Sequence, residues 1–153
     1  MNLAWMMIEI VIMNNEINSL CLPRGRWQAL IQQSIPIATK VVCDYPDDRS
    51  VLIKLFKTEQ LIATFTLSFL YGCKGILVSH SMQVSPEYRG QGIAKKLQPI
   101  KQKIATDLRV SVLIATVRDD NSAEKNVIKD WDQLESFDNV RTGNKIDIFM
   151  KRV

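Results

Sequence analysis

A single histidine and three cysteines are all that the 153-residue chain offers to a soft metal or to thiol chemistry. Cys21, Cys43 and Cys73 are odd in number, show no CxxC spacing and have no histidine cluster beside them, which argues against a zinc site and against a disulfide framework. Thiols of this kind suit a reducing compartment, so a cytoplasmic location is expected. Long apolar runs are also lacking. The opening stretch MNLAWMMIEIVIM ends after 13 residues and contains Glu9, whereas a spanning helix needs about 20. It has neither the basic leader nor the small-residue cleavage site of a signal peptide. No membrane partner is expected, and the segment reads as a buried first strand carried by Ile8, Ile10, Val11 and Ile12. Met6 or Met7 stays open as an alternative start. No repeat and no Pro/Gly/Ser linker divides the chain, so residues 1–153 read as one domain, long enough to bury roughly two-thirds of its unfolded surface.

Apolar residues make up 46% of the chain and charged residues 24%, the balance of an ordinary globular protein. A formal charge of +4 and a pI near 9.0 favour anionic partners but fall short of the concentrated charge of a dedicated nucleic-acid binder.

Residues 14–36 read as one or two short helices, broken at Pro23 and Gly25 and closed by Pro36. SVLIKLF, QLIATFTLSF and ILVSHSMQV then form three consecutive strands. The middle one alternates, with Leu61, Ala63, Phe65, Leu67 and Phe69 on one face and Thr64, Thr66 and Ser68 on the other. From Gln91 to about Asp107 the spacing predicts a helix with Ile93, Leu97, Ile100 and Ile104 on one face, bent or split at Pro99. VSVLIATV reads as a strand buried on both faces, and NSAEKNVIKDWDQLE as a helix capped by Asn121. The last 17 residues read as two strands around a Thr-Gly-Asn turn. The expected class is α/β with a mixed sheet, in the order β-α-α-β-β-β-α-β-α-β-β.

The stretch MQVSPEYRGQGIAKKL, residues 82–97, carries the chemistry. It places a helix N-terminus just past the end of a strand, where unpaired amide N–H groups and the helix dipole favour an anion and small residues admit a ligand to the backbone. A phosphate-bearing ligand is one reading; an ordinary turn is the other. Arg89, Lys95, Lys96, Lys101 and Lys103 follow without one acidic residue among them, as either an anion-binding surface or a solvated helix face. Hairpin strands before the glycines and the absence of GxGxxG spacing disfavour a Rossmann site, and the absence of GK[ST] excludes a Walker loop.

The run V-x-P-E-Y-R-G-Q-G-I-A-K-K-L closely resembles the acetyl-CoA-binding motif of the GCN5-related N-acetyltransferases: Arg89, Gly92 and Ala94 match its Gln/Arg, Gly and Gly/Ala positions in order and spacing. The resemblance implies a GNAT fold and acetyl-CoA as cosubstrate. It implies that the backbone of Gly90, Gln91, Gly92, Ile93 and Ala94 holds the pyrophosphate, and that Met82, Gln83 and Val84 pair with the pantetheine arm. An N–H at Gln83 or Val84 would face the thioester carbonyl and stabilise the oxyanion. Asn121 matches the family's coenzyme-contacting asparagine, and its other role is the helix cap.

An amine must lose a proton before it attacks. His80, nine residues before Arg89, has an ordinary pKa suited to the task; it resembles the strand histidine of arylalkylamine acetyltransferases, and a structural histidine is the competing reading. Asp119 and Asp120 are fallback bases through water. The family's tyrosine acid, seven residues after the asparagine, is replaced by Ile128, and Ser136-Phe137 replaces its Gly-Phe. Tyr88 reads as a packing residue, and the acid is water, Ser122 or none. No cysteine falls in the cradle, which favours direct transfer over a covalent acyl-enzyme. The expected partners are acetyl-CoA and an amine acceptor, with a nucleic-acid amine among the candidates and a homodimer left open. A coenzyme-A-binding module without catalysis is the alternative.

Overall fold

The structure, a computed structural model, describes residues 24–153; the expected first strand over residues 1–13, the first helical pieces and Cys21 lie outside the described residues. Helix α1 spans Arg24–Ser34. It takes in Gly25, so the expected break does not fall there, and Pro23 lies outside the described residues. Four antiparallel strands follow: β1 (Lys40–Asp47), β2 (Ser50–Lys57), β3 (Gln60–Leu70) and β4 (Cys73–Val84). Three of them are the expected meander. β1 is an addition that the pattern did not disclose, because it lies at the sheet edge, is mostly exposed and contains Pro46, a residue an edge strand tolerates.

After a 3₁₀ turn over Pro86–Tyr88 come α2 (Ile93–Asp107), β5 (Val112–Arg118), α3 (Ser122–Val127), β6 (Asp132–Asp138) and β7 (Lys145–Arg152). The seven strands form one sheet in the order β1-β2-β3-β4-β5-β7-β6, antiparallel throughout except where β4 meets β5. This is the expected mixed α/β class. Three details differ. α2 runs unbroken through Pro99, which removes only one backbone donor from a 15-residue helix. β5 alternates, with Leu113, Ala115 and Val117 buried and Thr116 exposed, so it is covered on one face rather than both. The helix after Asn121 stops at Val127 instead of running to Glu135. Ile128 and Trp131 turn into the core there, and residues from Asp132 pair with β7 in place of a helical ladder.

The core lies on one face of the sheet. Val51, Ile53 and Leu55 of β2 stand opposite Leu67, Phe65 and Ala63 of β3, and Leu77 of β4 beside Leu113 of β5; all are buried. Against this face α1 presents Trp27 and Ile31, and α2 presents the expected stripe Ile93, Leu97, Ile100 and Ile104, each at most 4% exposed. Thr64, Thr66, Ser68 and His80 look the other way.

One charge is buried with that stripe. Lys101 was expected on a solvated or ligand-facing surface, yet it is 1% exposed, with Nζ 5.1 Å from the centre of the Phe65 ring. Burial pushes its pKa down to about 8, and the Glu124 carboxylate opposes the shift. The folded pKa lies below the unfolded value of 10.5, so the unfolded chain binds more protons between the two and stability should rise with pH there. Lys101→Met should remove that rise. The wild-type minus variant difference in unfolding free energy, measured by urea titration between about pH 8 and pH 10, should climb by up to about 1.4 kcal/mol per pH unit. A flat difference would show that the ammonium is hydrated.

Candidate functional site

The parallel ladder between β4 and β5 runs only from Ile76/Val112 to Ser79/Ala115, although β4 continues to Val84 and β5 to Arg118. A bulge enforces the separation. Thr66 pairs with His80 and Thr64 with Gln83, so three steps on β4 oppose two on β3, and Ser81 takes a positive φ of 55°. Beyond the bulge the edge of β4 facing β5 has no strand partner among the described residues. The Ser85 N–H donates to the Ile62 carbonyl across β3. Strand alternation therefore turns the N–H and C=O of Val84 to the opposite edge, into the gap. The Val84 carbonyl accepts from Arg89 Nε at 3.0 Å, which leaves its N–H as the free group.

Side chains pin the segment that follows. The Ser85 hydroxyl donates to the Leu61 carbonyl at 2.6 Å, Tyr88 Oη donates to Gln60 Oε1 at 2.7 Å, and Gln91 Nε2 donates to the Glu87 carbonyl at 3.2 Å. Tyr88 is buried, as a packing residue should be. Gly90 and Gly92 adopt φ of 72° and 73°, the left-handed region that glycine enters without strain. Gly92 caps α2 with no side-chain hydrogen bond to the first turn, so the leading N–H groups of that helix are open to a ligand.

The far wall comes from α3 and the second turn of α2. Asn121 caps α3: its Oδ1 accepts from the Glu124 N–H at 3.1 Å, and its Nδ2 donates to Glu124 Oε2 at 3.1 Å. Burial pushes the Glu124 carboxyl up, against the pull of the Lys101 ammonium. Gln98 is 8% exposed and its Oε1 has no hydrogen-bond partner among the described residues.

Between these walls lies a cleft of about 950 Å³, a size suited to a large cosubstrate. Met82, Gln83, Val84, Arg89, Gly90, Gly92, Ile93, Ala94 and Asn121 all line it, so nine of the eleven residues singled out in the sequence converge on one cavity. Gln91 and His80 are not among its lining residues. Glu124, Gln98, Thr64 and Asn126 are, and no motif pointed to them. The S/T/D/N-x-x-E spacing from Asn121 to Glu124 was the one available signal, and it marks a helix start rather than a site.

His80 stands on the other face of the sheet, half-buried, with Nε2 3.1 Å from Ser68 Oγ and Nδ1 3.1 Å from Ser81 Oγ. Ser68 Oγ donates onward to Ser50 Oγ. Nε2 is then the ring N–H, and Nδ1 accepts from the exposed Ser81 hydroxyl at the bulge. Burial lowers the His80 pKa, so the ring is neutral at pH 7. Asp120 is held ionised by Arg118, and neither it nor Asp119 lines the cleft. Ile128 is 1% exposed in the core, and Ser136 donates to Asp147 Oδ1 at 2.6 Å.

Comparison with known proteins accords with this geometry. The acetyltransferase (GNAT) family profile matches residues 18–129. No curated protein matches the chain. Among solved structures, nourseothricin acetyltransferase superposes with a TM-score of 0.60 at 17% identity, over 71% of this chain and 68% of its own. An IAA acetyltransferase from Bacillus cereus ATCC 14579 gives 0.61 at 12% identity, over 69% of this chain and 79% of its own. A Salmonella typhimurium protein assigned as an acetyltransferase, solved with its cofactor acetyl-CoA, gives 0.58 at 13% identity over 67% of this chain and 64% of its own.

The left-handed glycine carries a stability cost that can be measured. A Cβ at Gly92 would meet nothing within 4 Å, so Gly92→Ala should cost about 1–2 kcal/mol through backbone strain alone. Denaturant titration checks this, and a cost near zero would mean that the loop relaxes to negative φ.

Proposed function

Because the chain belongs to the acetyltransferase (GNAT) family, whose cosubstrate is acetyl-CoA, we propose that its cleft binds acetyl-CoA and that the enzyme transfers the acetyl group directly to a primary amine. The observation that carries this reading is the gap between β4 and β5 running into the uncapped N-terminus of α2, with Gly90 and Gly92 left-handed between them. One end of the cleft offers backbone donors and the Arg89 and Lys95 side chains to phosphates; the other offers a strand edge to an extended arm.

In this reading the Val84 N–H, free and turned into the gap, donates to the thioester oxygen as negative charge develops there. Met82 and Gln83 form the strand wall beside it. The acceptor nitrogen forms its bond to the acetyl carbon, the carbon–sulfur bond breaks, and the amine proton leaves to a base. In this reading neutral His80, on the strand that leads to the cleft, is that base. Glu124 is a carboxyl on the cleft wall, and water is the source of the proton that returns to the departing thiolate.

Acceptor choice falls to surfaces outside the cleft, with a small-molecule, protein or nucleic-acid amine as the classes to test. The buried Ile128 at the family's tyrosine position favours a second reading, a coenzyme-A-binding module without turnover. Thiol release from acetyl-CoA over a panel of small amines, peptides, tRNA and DNA separates the two. Release with one acceptor class supports the enzyme, and tight binding with no release on any supports the module.

Two substitutions sharpen the assignment. Gly92→Gln should abolish acetyl-CoA binding by calorimetry, and unchanged affinity would remove the phosphate cradle. His80→Ala should cut turnover about 100-fold with coenzyme affinity unchanged. The wild-type rate should fall as the pH drops below the lowered His80 pKa, because only the neutral ring accepts a proton. That acid limb should vanish in the variant; its persistence would show that His80 is structural.

A further inference from the structure

Gln98 is an anomaly in the wall of the cleft. It is the sixth residue of α2, flanked by Leu97 and Ile100 at 0% and 2% exposure, and is itself 8% exposed. Its Oε1 is buried without a hydrogen-bond partner among the described residues. Buried side-chain amides are ordinarily paired, because leaving one unpaired forfeits the hydrogen bonds it made with water. The side chain lines the cleft, so turning its terminal amide would present the buried Oε1 to a bound molecule, which can supply the partner that the fold does not.

Position along the helix indicates which part of that molecule. At about 1.5 Å per residue, Gln98 lies about 9 Å along α2 from the Gly92 cap, and helical side chains lean back toward the N-terminus. A phosphate at the cap therefore leaves Gln98 facing the chain attached to it. Across the cleft is the free edge of β4, with the Val84 N–H turned toward it. A trans secondary amide carries its N–H and C=O on opposite sides, so an arm lying between the two walls can engage only one of these groups with β4. The other faces α2.

We propose that Gln98 pairs with an amide of the pantetheine arm, taking the side of it that the β4 backbone does not reach. This rests on the reading of the cleft as an acetyl-CoA site. A carboxamide has both a donor and an acceptor, so it serves whether the amide presents its N–H or its C=O. The unpaired state belongs to the free protein, and ligand binding completes it.

Gln98→Leu keeps the volume and removes the unpaired amide, so the free variant should unfold at the same temperature as wild type or higher. Its Kd for acetyl-CoA should rise about three- to tenfold, the weight of one hydrogen bond. Its Kd for adenosine 3′,5′-bisphosphate, which lacks the arm, should not change. An unchanged Kd for acetyl-CoA, or an equal loss for both probes, would overturn the assignment while leaving the cleft reading intact. Failure of the wild-type protein to bind acetyl-CoA would overturn the cleft reading itself, and the Gln98 assignment with it.

Discussion

Two strands that start as partners and then separate govern this molecule. β4 and β5 share a parallel ladder for four residue pairs and part at Ser79 and Ala115. The bulge at Ser81 turns β4 away while β7 holds β5 in place as far as Arg118. A sheet edge is thereby exposed in the middle of a sheet rather than at its rim. Unpaired backbone there is costly unless water or a ligand completes it, and the cleft allows a ligand to do so. The pinned loop from Ser85 to Gly92 and the uncapped α2 continue the same opening, so strand edge, glycines and helix terminus form one surface.

The polar groups behind this surface are an uncommon burden for a core of this size. Lys101 sits under the Phe65 ring, Glu124 is partly desolvated near it, and Gln98 Oε1 has no hydrogen-bond partner among the described residues. Each would be better accommodated by an apolar side chain if stability alone were at stake. All three lie along α2 or on α3, Gln98 and Glu124 lining the cleft and Lys101 buried against Phe65 behind it. Departures from good packing concentrated at one wall of a binding cavity are what a functional site produces.

Much of the fold was legible because its periodicities were strong. The alternation in β3 from Ala63 to Phe69 and the spacing of Ile93, Leu97, Ile100 and Ile104 both describe faces that are buried in the structure, whereas Leu61 is 39% exposed because the register shifts between Leu55 and Phe56 and Ile62 is buried instead. The segment from Val127 to Glu135 was not legible. Val127, Ile128, Trp131 and Leu134 have helical spacing, yet the chain leaves the helix after Val127. Pairing of Asp132–Asp138 with β7 outweighs the local preference, and Leu134 is left 49% exposed. β1 escaped notice for the opposite reason, since an edge strand has little apolar pattern to show.

The sequence by itself determined where to look for the site, because a glycine pair ahead of a basic amphipathic helix is local chemistry whose residues are neighbours in the chain. Nine of the residues so identified line one cavity. The opposite wall was decided only by tertiary structure. Gln98 and Lys101 look in the sequence like members of a solvated face, and Glu124 like half of a helix cap. What buries them is the packing of α2 against the sheet and of α3 against α2. Desolvation depends on distant segments coming together, so no local pattern records it, and it is desolvation that lowers the Lys101 pKa, raises that of Glu124 and leaves Gln98 Oε1 unpaired.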